Sequence, residues 1–337
     1  MAETKYTMIG MSGAGKTCYL TAMYMKMATG FDGFTLVTDD HTRTRLERDI
    51  LNLREPIGET RFPVATNETT TRSYEFRLSY ETKKIISFEM LDYAGGSLRT
   101  RENTYADVKQ SIADSTALYI FIDGKSLCTE DREERKENVN FDCALTVAPL
   151  IQDFADTHNN SLPPIVFVVT KADLCKKYAS GKEITAIIRD LFSIAFSEGT
   201  YSYICAVSLG DTISDDGYRG KLNPVNIHIP IFIGSYHEYY NRCVILKNNI
   251  ENKDRKLEQE KQTANNKAYK EMNKLKIFRD SSYIERYRNI AKDVETEMKS
   301  YQDILSNTKK IYYIPINEIN CRFFVAMNQV MWYSVFI

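Results

Sequence analysis

Gly10-Met-Ser-Gly-Ala-Gly-Lys-Thr17 fits the pattern G-x-x-x-x-G-K-[ST] in full. Its glycines, Gly10, Gly13 and Gly15, leave backbone N–H groups of the run, Ser12 and Ala14 included, free to turn inward around a polyphosphate. A helix starting near Lys16 would aim its positive end at the same anion. The Lys16 ammonium would reach the β and γ phosphates, and the Thr17 hydroxyl would ligate Mg²⁺, with Cys18 next in line on the helix. A random chain of this length would match the pattern about 1% of the time, so an ordinary glycine turn is the weaker reading.

Two further constellations can act with this loop. Asp92 ends the strand Ile85–Leu91 and is followed by Tyr93-Ala94-Gly95-Gly96. A carboxylate there can hold Mg²⁺ through water, and Gly95 can present its N–H to a γ-phosphate, although a plain strand-ending turn would look the same. The strand Ile165–Val169 runs into Thr170-Lys171-Ala172-Asp173. The Asp173 carboxylate can accept two hydrogen bonds, from guanine N1–H and the exocyclic amine, a donor pair that adenine lacks on that edge. The aliphatic stem of Lys171 can lie along the base. A helix cap is the bland alternative for Asp173. Ala206-Val207-Ser208-Leu209 ends the last strand, where backbone groups of Ser208 and Leu209 could meet guanine O6.

Elements must bring these pieces to one place. Lys5–Ile9 reads as a strand, Lys16–Thr29 as a helix with Leu20, Met23, Tyr24 and Met27 on one face, and Phe34–Val37 as a short strand. Thr38 is expected to cap a charged helix with Leu46, Ile50 and Leu53 inward, ended by Pro56-Ile-Gly58. Ser73–Tyr80 and Lys84–Leu91 read as an antiparallel hairpin. Thr116–Ile122 and Ile165–Val169 are apolar runs suited to strands buried on both faces, Val139–Ala155 and Lys182–Phe196 read as helices, and Tyr201–Val207 closes the series. Strands alternating with helices after a phosphate loop predict an α/β fold, a three-layer and mostly parallel sheet over residues 1–240.

Beyond Pro230 the character changes. Residues 241–310 are polar with few breakers, and Ile250, Leu257 and Ala264 keep a seven-residue spacing. After Arg279-Asp-Ser-Ser282, the series Tyr283, Tyr287, Ile290, Val294, Tyr301 and Leu305 continues in steps of three, four and seven. A helical hairpin or short coiled coil is expected, and it offers a surface for homo-oligomers. The last segment, 311–337, ends in fifteen uncharged residues with Trp332, Tyr333 and Phe336. These fall short of the ~20 apolar residues of a spanning helix, so packing on the fold or on a partner is expected rather than a membrane.

Composition agrees with a globular domain. Of 337 residues, 43% are hydrophobic and 26% charged, and the net charge of −1 gives no footprint for nucleic acid or a membrane surface. The helical tail near 253–279 is richer in Lys and Arg than in Asp and Glu, and a solvated face accounts for it. Seven scattered cysteines without a CxxC pair, four histidines off zinc spacing and no leader before the first strand fit a reducing, cytoplasmic setting.

In order and placement, GMSGAGKT, DYAG, TKAD and AVSL resemble the Ras-like (TRAFAC-class) GTPases. SGAGKTCYL, the long insert over 30–71, Phe62-Pro-Val-Ala-Thr66 and LDYAGG resemble more narrowly the bacterial double-GTPase-type proteins of GTPase-associated defence or conflict systems. The resemblance spans about residues 4–240. It implies a Ras-like P-loop fold, binding of GTP and GDP with Mg²⁺ held through Thr17 and Asp92, a nucleotide-gated switch and a protein partner. Three departures bear on it. About 75 residues separate Lys16 from Asp92, so the first switch is expanded. Its Mg²⁺-binding threonine is Thr70, with Thr69 and Thr71 close, by counting back from Asp92, and Thr66 by the Pro-x-x-Thr pattern. After Gly95, Gly96 and then Ser97 stand where the family carries a water-orienting glutamine, which implies slow turnover unless a partner supplies the group. Thr170 replaces the common asparagine, keeping a hydroxyl to brace the loop while losing the amide. Two functions follow: a slow GTPase switch built on Lys16, Thr66 or Thr70, and Gly95, or a non-hydrolysing nucleotide-binding interaction module. A P-loop ATPase or kinase would leave TKAD without a purpose.

Overall fold

The computed structural model describes residues 4–54, 61–63, 71–80, 83–93, 104–158, 161–211, 213 and 220–238, with four isolated helical positions at 255, 259, 262 and 263. Thr66, Thr70, Gly95, Gly96, the 311–337 segment and all but those four positions of the expected hairpin lie outside the described residues.

Seven strands form one sheet in the order β2-β3-β4-β1-β5-β6-β7. They are β1 (Thr4–Ile9), β2 (Phe34–Thr38), β3 (Arg72–Tyr80), β4 (Lys83–Asp92), β5 (Ala117–Asp123), β6 (Ile165–Thr170) and β7 (Ser202–Ala206). From β4 across to β7 every pairing is parallel, while β2 and β3 run antiparallel at one edge. The strands alternate with α1 (Lys16–Ala28), α2 (Asp40–Arg54), α3 (Thr104–Ala113), α4 (Arg132–Val139), α5 (Leu145–Thr157), the single turn α6 (Ala172–Cys175) and α7 (Gly181–Leu191). Residues 229–238 are helical and are called α8.

Both faces of the sheet are covered because its central strands carry apolar side chains at consecutive positions. In β5, Leu118, Ile120 and Ile122 join one core with Val108 and Ile112 of α3, Val147, Leu150 and Ile151 of α5, and Ile184, Ile187 and Ile188 of α7. The alternate residues point the other way: Phe121 meets Tyr19 of α1 edge-on with ring centroids 5.3 Å apart, and the Tyr119 hydroxyl donates to the Pro230 carbonyl in α8. The result is the expected three-layer α/β sandwich.

Local chemistry shifted several boundaries. Thr38 does not cap α2; it ends β2 and donates its hydroxyl to the Glu75 carbonyl, while the Asp39 carboxylate accepts the Thr42 N–H at 2.9 Å. Leu46 and Leu53 are fully buried, Ile50 only partly. The helix expected at Val139–Ala155 starts at Arg132, capped by Asp131, whose side chain accepts the Glu134 N–H, and passes through a π-helical turn, Asn140–Ala144, before α5. The helix expected over Lys182–Phe196 is α7, capped by Ser180, then a separate 3₁₀ turn at Ser193–Phe196.

Register fixes the level of each strand end. Met8 pairs with Asp92, Ile9 with Ile120, Asp123 with Thr170, and Val169 with Ala206. The loop after β1, Asp92, Asp123, Thr170 and the residues after β7 therefore share the carboxyl edge of the sheet. The strand order reverses there between β4 and β5, the place where open α/β sheets bind ligands.

Candidate functional site

At this edge the loop after β1 turns into α1 through Gly15, whose φ of 87° is left-handed and favours glycine. A cavity of about 270 Å³ opens beside it. One part of its lining is phosphate loop and helix start, Ser12 to Tyr19 without Ala14; another is Lys125, Thr170 and Lys171; the rest is Val207–Leu209, Ile227, Phe62 and Pro63. Gly10 and Ala14 belong to the same loop behind the wall, and Ala14 is buried.

Lys16 is 7% exposed, and its ammonium donates to the Gly10 carbonyl at 2.7 Å and the Met11 carbonyl at 3.2 Å. Burial lowers its pKa, opposed by the negative charge of Asp92. Asp92 is fully buried, and burial raises its pKa against the pull of Lys16 and a hydrogen bond from Thr17. That bond, Thr17 Oγ1 to Asp92 Oδ2, is 2.9 Å long. Asp92 Oδ1 is buried with no hydrogen-bond partner among the described residues. A hydroxyl and a carboxylate, Oδ1 of the latter being the oxygen with no partner among the described residues, form a hard donor set that fits Mg²⁺, which binds through one or two protein oxygens plus water and phosphate. No cluster of three or more His, Cys, Asp or Glu among the described residues competes for a metal.

The β6 end is fastened to the same loop. The Thr170 hydroxyl donates to the Ala14 carbonyl at 2.9 Å and reaches the Ile122 carbonyl at 3.3 Å. Lys171, held at φ 50°, donates its ammonium to the Gly13 carbonyl at 3.0 Å and pairs with Asp123, so its stem crosses from β6 to the phosphate loop. Asp173 is 6% exposed and lies on α6, behind the lining residues. The Ala172 N–H donates to the Val207 carbonyl at 3.1 Å, which joins this turn to the end of β7. Ser208 commits both of its backbone groups to Val225, at 3.3 Å and 2.9 Å, and Leu209 gives its carbonyl to the Asn223 N–H at 2.7 Å. The thiol of Cys18, pushed up to about 12 by burial, is a poor nucleophile.

Sequence reasoning missed Asp123, Gly124 and Lys125. A Cβ on Gly124 would lie 2.2 Å from the Thr170 carbonyl, so only glycine lets β5 and β6 end this close. The available signal was a lone carboxylate and glycine ending an all-apolar strand. Phe62 and Pro63 open the segment Phe62–Thr66, and their place on the cavity wall depends on tertiary contacts.

A family model described as Double-GTPase 2 matches residues 7–215. No curated protein matches. Among solved structures, a chain of the signal recognition particle receptor SRb-GTP/SRX complex from Chaetomium thermophilum is 15% identical, with 64% of this chain and 94% of that chain covered at a TM-score of 0.40. The family match runs from within β1 to beyond β7, so it takes in the phosphate loop, the Thr17–Asp92 pair and the Thr170–Asp173 turn. With well over half of the 337 residues inside that span, the chain belongs to the Double-GTPase 2 family.

Proposed function

We propose that this protein is a GTP-binding molecular switch that uses Mg²⁺ and hydrolyses GTP slowly to GDP and phosphate. The observation that supports this most directly is the Thr17–Asp92 hydrogen bond, with the second Asp92 oxygen buried and without a partner among the described residues, one residue from a buried Lys16. In this reading Lys16 exchanges its loop carbonyls for β and γ phosphate oxygens, and the backbone amides of the glycine loop hold the rest of the chain. Thr17 and Asp92 would hold Mg²⁺, which when bound neutralises charge on the phosphate oxygens. Lys171 and Thr170 keep the loop in shape, and Asp173 reads the guanine edge.

Hydrolysis needs an oriented water. Gly95 would present its N–H to the γ-phosphate and Thr66 or Thr70 would complete the metal site, but Gly96 has no side chain to position the water. Turnover is therefore slow until a protein partner contributes the missing group. The resemblance to conflict-system proteins supports a bacterial defence setting, and the polar 241–310 segment is the candidate partner or self-association element.

Equilibrium titrations with GTP, GDP and ATP, with and without Mg²⁺, test this. Guanine nucleotides should bind at least tenfold more tightly than ATP, and Asp173→Ala should erase the difference. Equal ATP affinity in the wild type would sink the guanine assignment. Gly96 also motivates a second reading, a module that binds nucleotide for structure without hydrolysing it. Sustained phosphate release that disappears in Lys16→Ala would reject that reading.

A further inference from the structure

A buried cation outside the motifs stands beside the cavity. Arg61 stands in the insert between α2 and β3 and is 4% exposed. Its Nε donates to the Leu53 carbonyl at 3.0 Å and its Nη2 to the Gly220 carbonyl at 2.7 Å. Leu53 is in the last turn of α2, where carbonyls lack partners within the helix. Gly220 opens the segment that returns to pair Val225 with Ser208 and carries Ile227 into the cavity wall. One rigid guanidinium fork thus joins the insert to the wall made by Leu209 and Ile227. The next two residues, Phe62 and Pro63, line the cavity and are half-buried.

We propose that Arg61 is a positioning residue for nucleotide recognition: by gripping Leu53 and Gly220 it holds Phe62 and Pro63 as an apolar wall against the purine. This rests on the guanine-nucleotide reading of the cavity. The geometry separates two jobs that the motifs alone do not. The phosphate loop, Lys16 and Thr17, all outside the insert, take the anionic chain. The purine is a flat apolar ring, and it gains from a wall only if that wall is fixed before the ring arrives, because an unfastened Phe62 would have to be ordered at the moment of binding. Arg61 supplies that fixing through two carbonyls, from elements 8 and 159 residues away in the chain. Arg61 reaches the two carbonyls through two separate nitrogens of a planar fork, a span that the single nitrogen of lysine does not reproduce.

The competing explanation is that Arg61 only caps α2, in which case its loss would loosen the domain and weaken every ligand alike. Two ligands distinguish the possibilities: GDP, which has a base, and tripolyphosphate, which has none. With full-length protein, Arg61→Ala and Phe62→Ala should each raise the GDP Kd about tenfold, mainly through faster release, the scale of one lost aromatic wall. Their tripolyphosphate Kd should stay within about twofold of wild type. The double variant should be no worse than the worse single one, since the two residues act as a unit. Arg61→Lys should fall near Arg61→Ala. Phe62→Ala, at a half-buried position, keeps the test valid if Arg61→Ala fails to fold. Unchanged GDP binding, parallel loss of tripolyphosphate, or additive singles would each overturn the proposal. Wild-type protein that binds tripolyphosphate yet shows no preference for guanine would sink the guanine reading itself, and this inference with it.

Discussion

At the residue scale, Thr170 stands where the wider family commonly carries asparagine, and its hydroxyl donates into the buried carbonyls of Ala14 and Ile122. Thr170→Val keeps the shape and removes the donor, leaving buried acceptors short at a cost of about 1–3 kcal/mol. We expect a lower melting temperature and weaker GDP binding, both largely restored by Thr170→Ser, in thermal melts with and without nucleotide. Asp92 makes a different prediction. Its Oδ1, without a partner among the described residues, leaves a place for a cation, so Asp92→Asn should abolish the Mg²⁺-dependent tightening of GTP binding and change metal-free binding by only a few fold. Calorimetric titration with and without Mg²⁺ reads both, and an intact Mg²⁺ response in Asp92→Asn would remove the carboxylate from the metal site.

At the scale of elements, the meeting of β5 and β6 carries the site. Gly124 follows Asp123 directly, and a Cβ there would meet the Thr170 carbonyl at 2.2 Å and the Lys171 carbonyl at 2.9 Å. Both obstacles are backbone, so the strand ends must part. Gly124→Ala should cost about 1–3 kcal/mol and weaken nucleotide binding together with stability, measured by urea denaturation and GDP titration. Element type was well written in the chain where period and length were clear: β1, β5, β6 and α1 all lie where the apolar runs put them. Ends were less legible. Asp131 with Glu134 is a capping pair that the sequence displays, but the apolar period begins only near Val139, so periodicity alone does not reach the first turns of that helix. Thr38 lost its expected role because a strand partner, Glu75, took its hydroxyl, and no local reading contains that competitor.

Across the whole molecule, the face of the sheet opposite α5 is closed by α1 and α8; His237 is buried in α8, and His228, half-buried, lies just before it. His237 shares a 2.6 Å hydrogen bond with Tyr203 and packs near Tyr201 and Tyr236. His228 lies between Phe31 and Phe232, with Lys26 nearby, and its Nδ1 has no partner among the described residues. Burial lowers both pKa values from 6.5 to about 4. Between those limits the unfolded chain binds more protons than the folded one, so stability falls as pH drops from about 6.5 toward 4. Each histidine contributes a slope of at most about 1.4 kcal/mol per pH unit. Urea midpoints should decline from pH 7 to pH 5, and His228→Phe should flatten the decline. A midpoint independent of pH would show that these rings take up protons as readily in the folded state as in the unfolded one. No helix among the described residues is long and apolar enough to cross a membrane.

The order and type of the chemical groups were set by sequence alone, because a phosphate loop is a local device: eight consecutive residues supply its amides, its lysine and its hydroxyl. The alternation of strand and helix was equally local, since each element's period is written in its own residues. Tertiary structure decided which distant groups meet. The pairing of Met8 with Asp92 and of Asp123 with Thr170 comes from sheet register, which puts the second carboxylate against Thr17 and Lys171 against the phosphate loop. Arg61 makes the same point most sharply. Read along the chain it is one more charge in a polar insert, and only the folded backbone brings the Leu53 and Gly220 carbonyls within its reach.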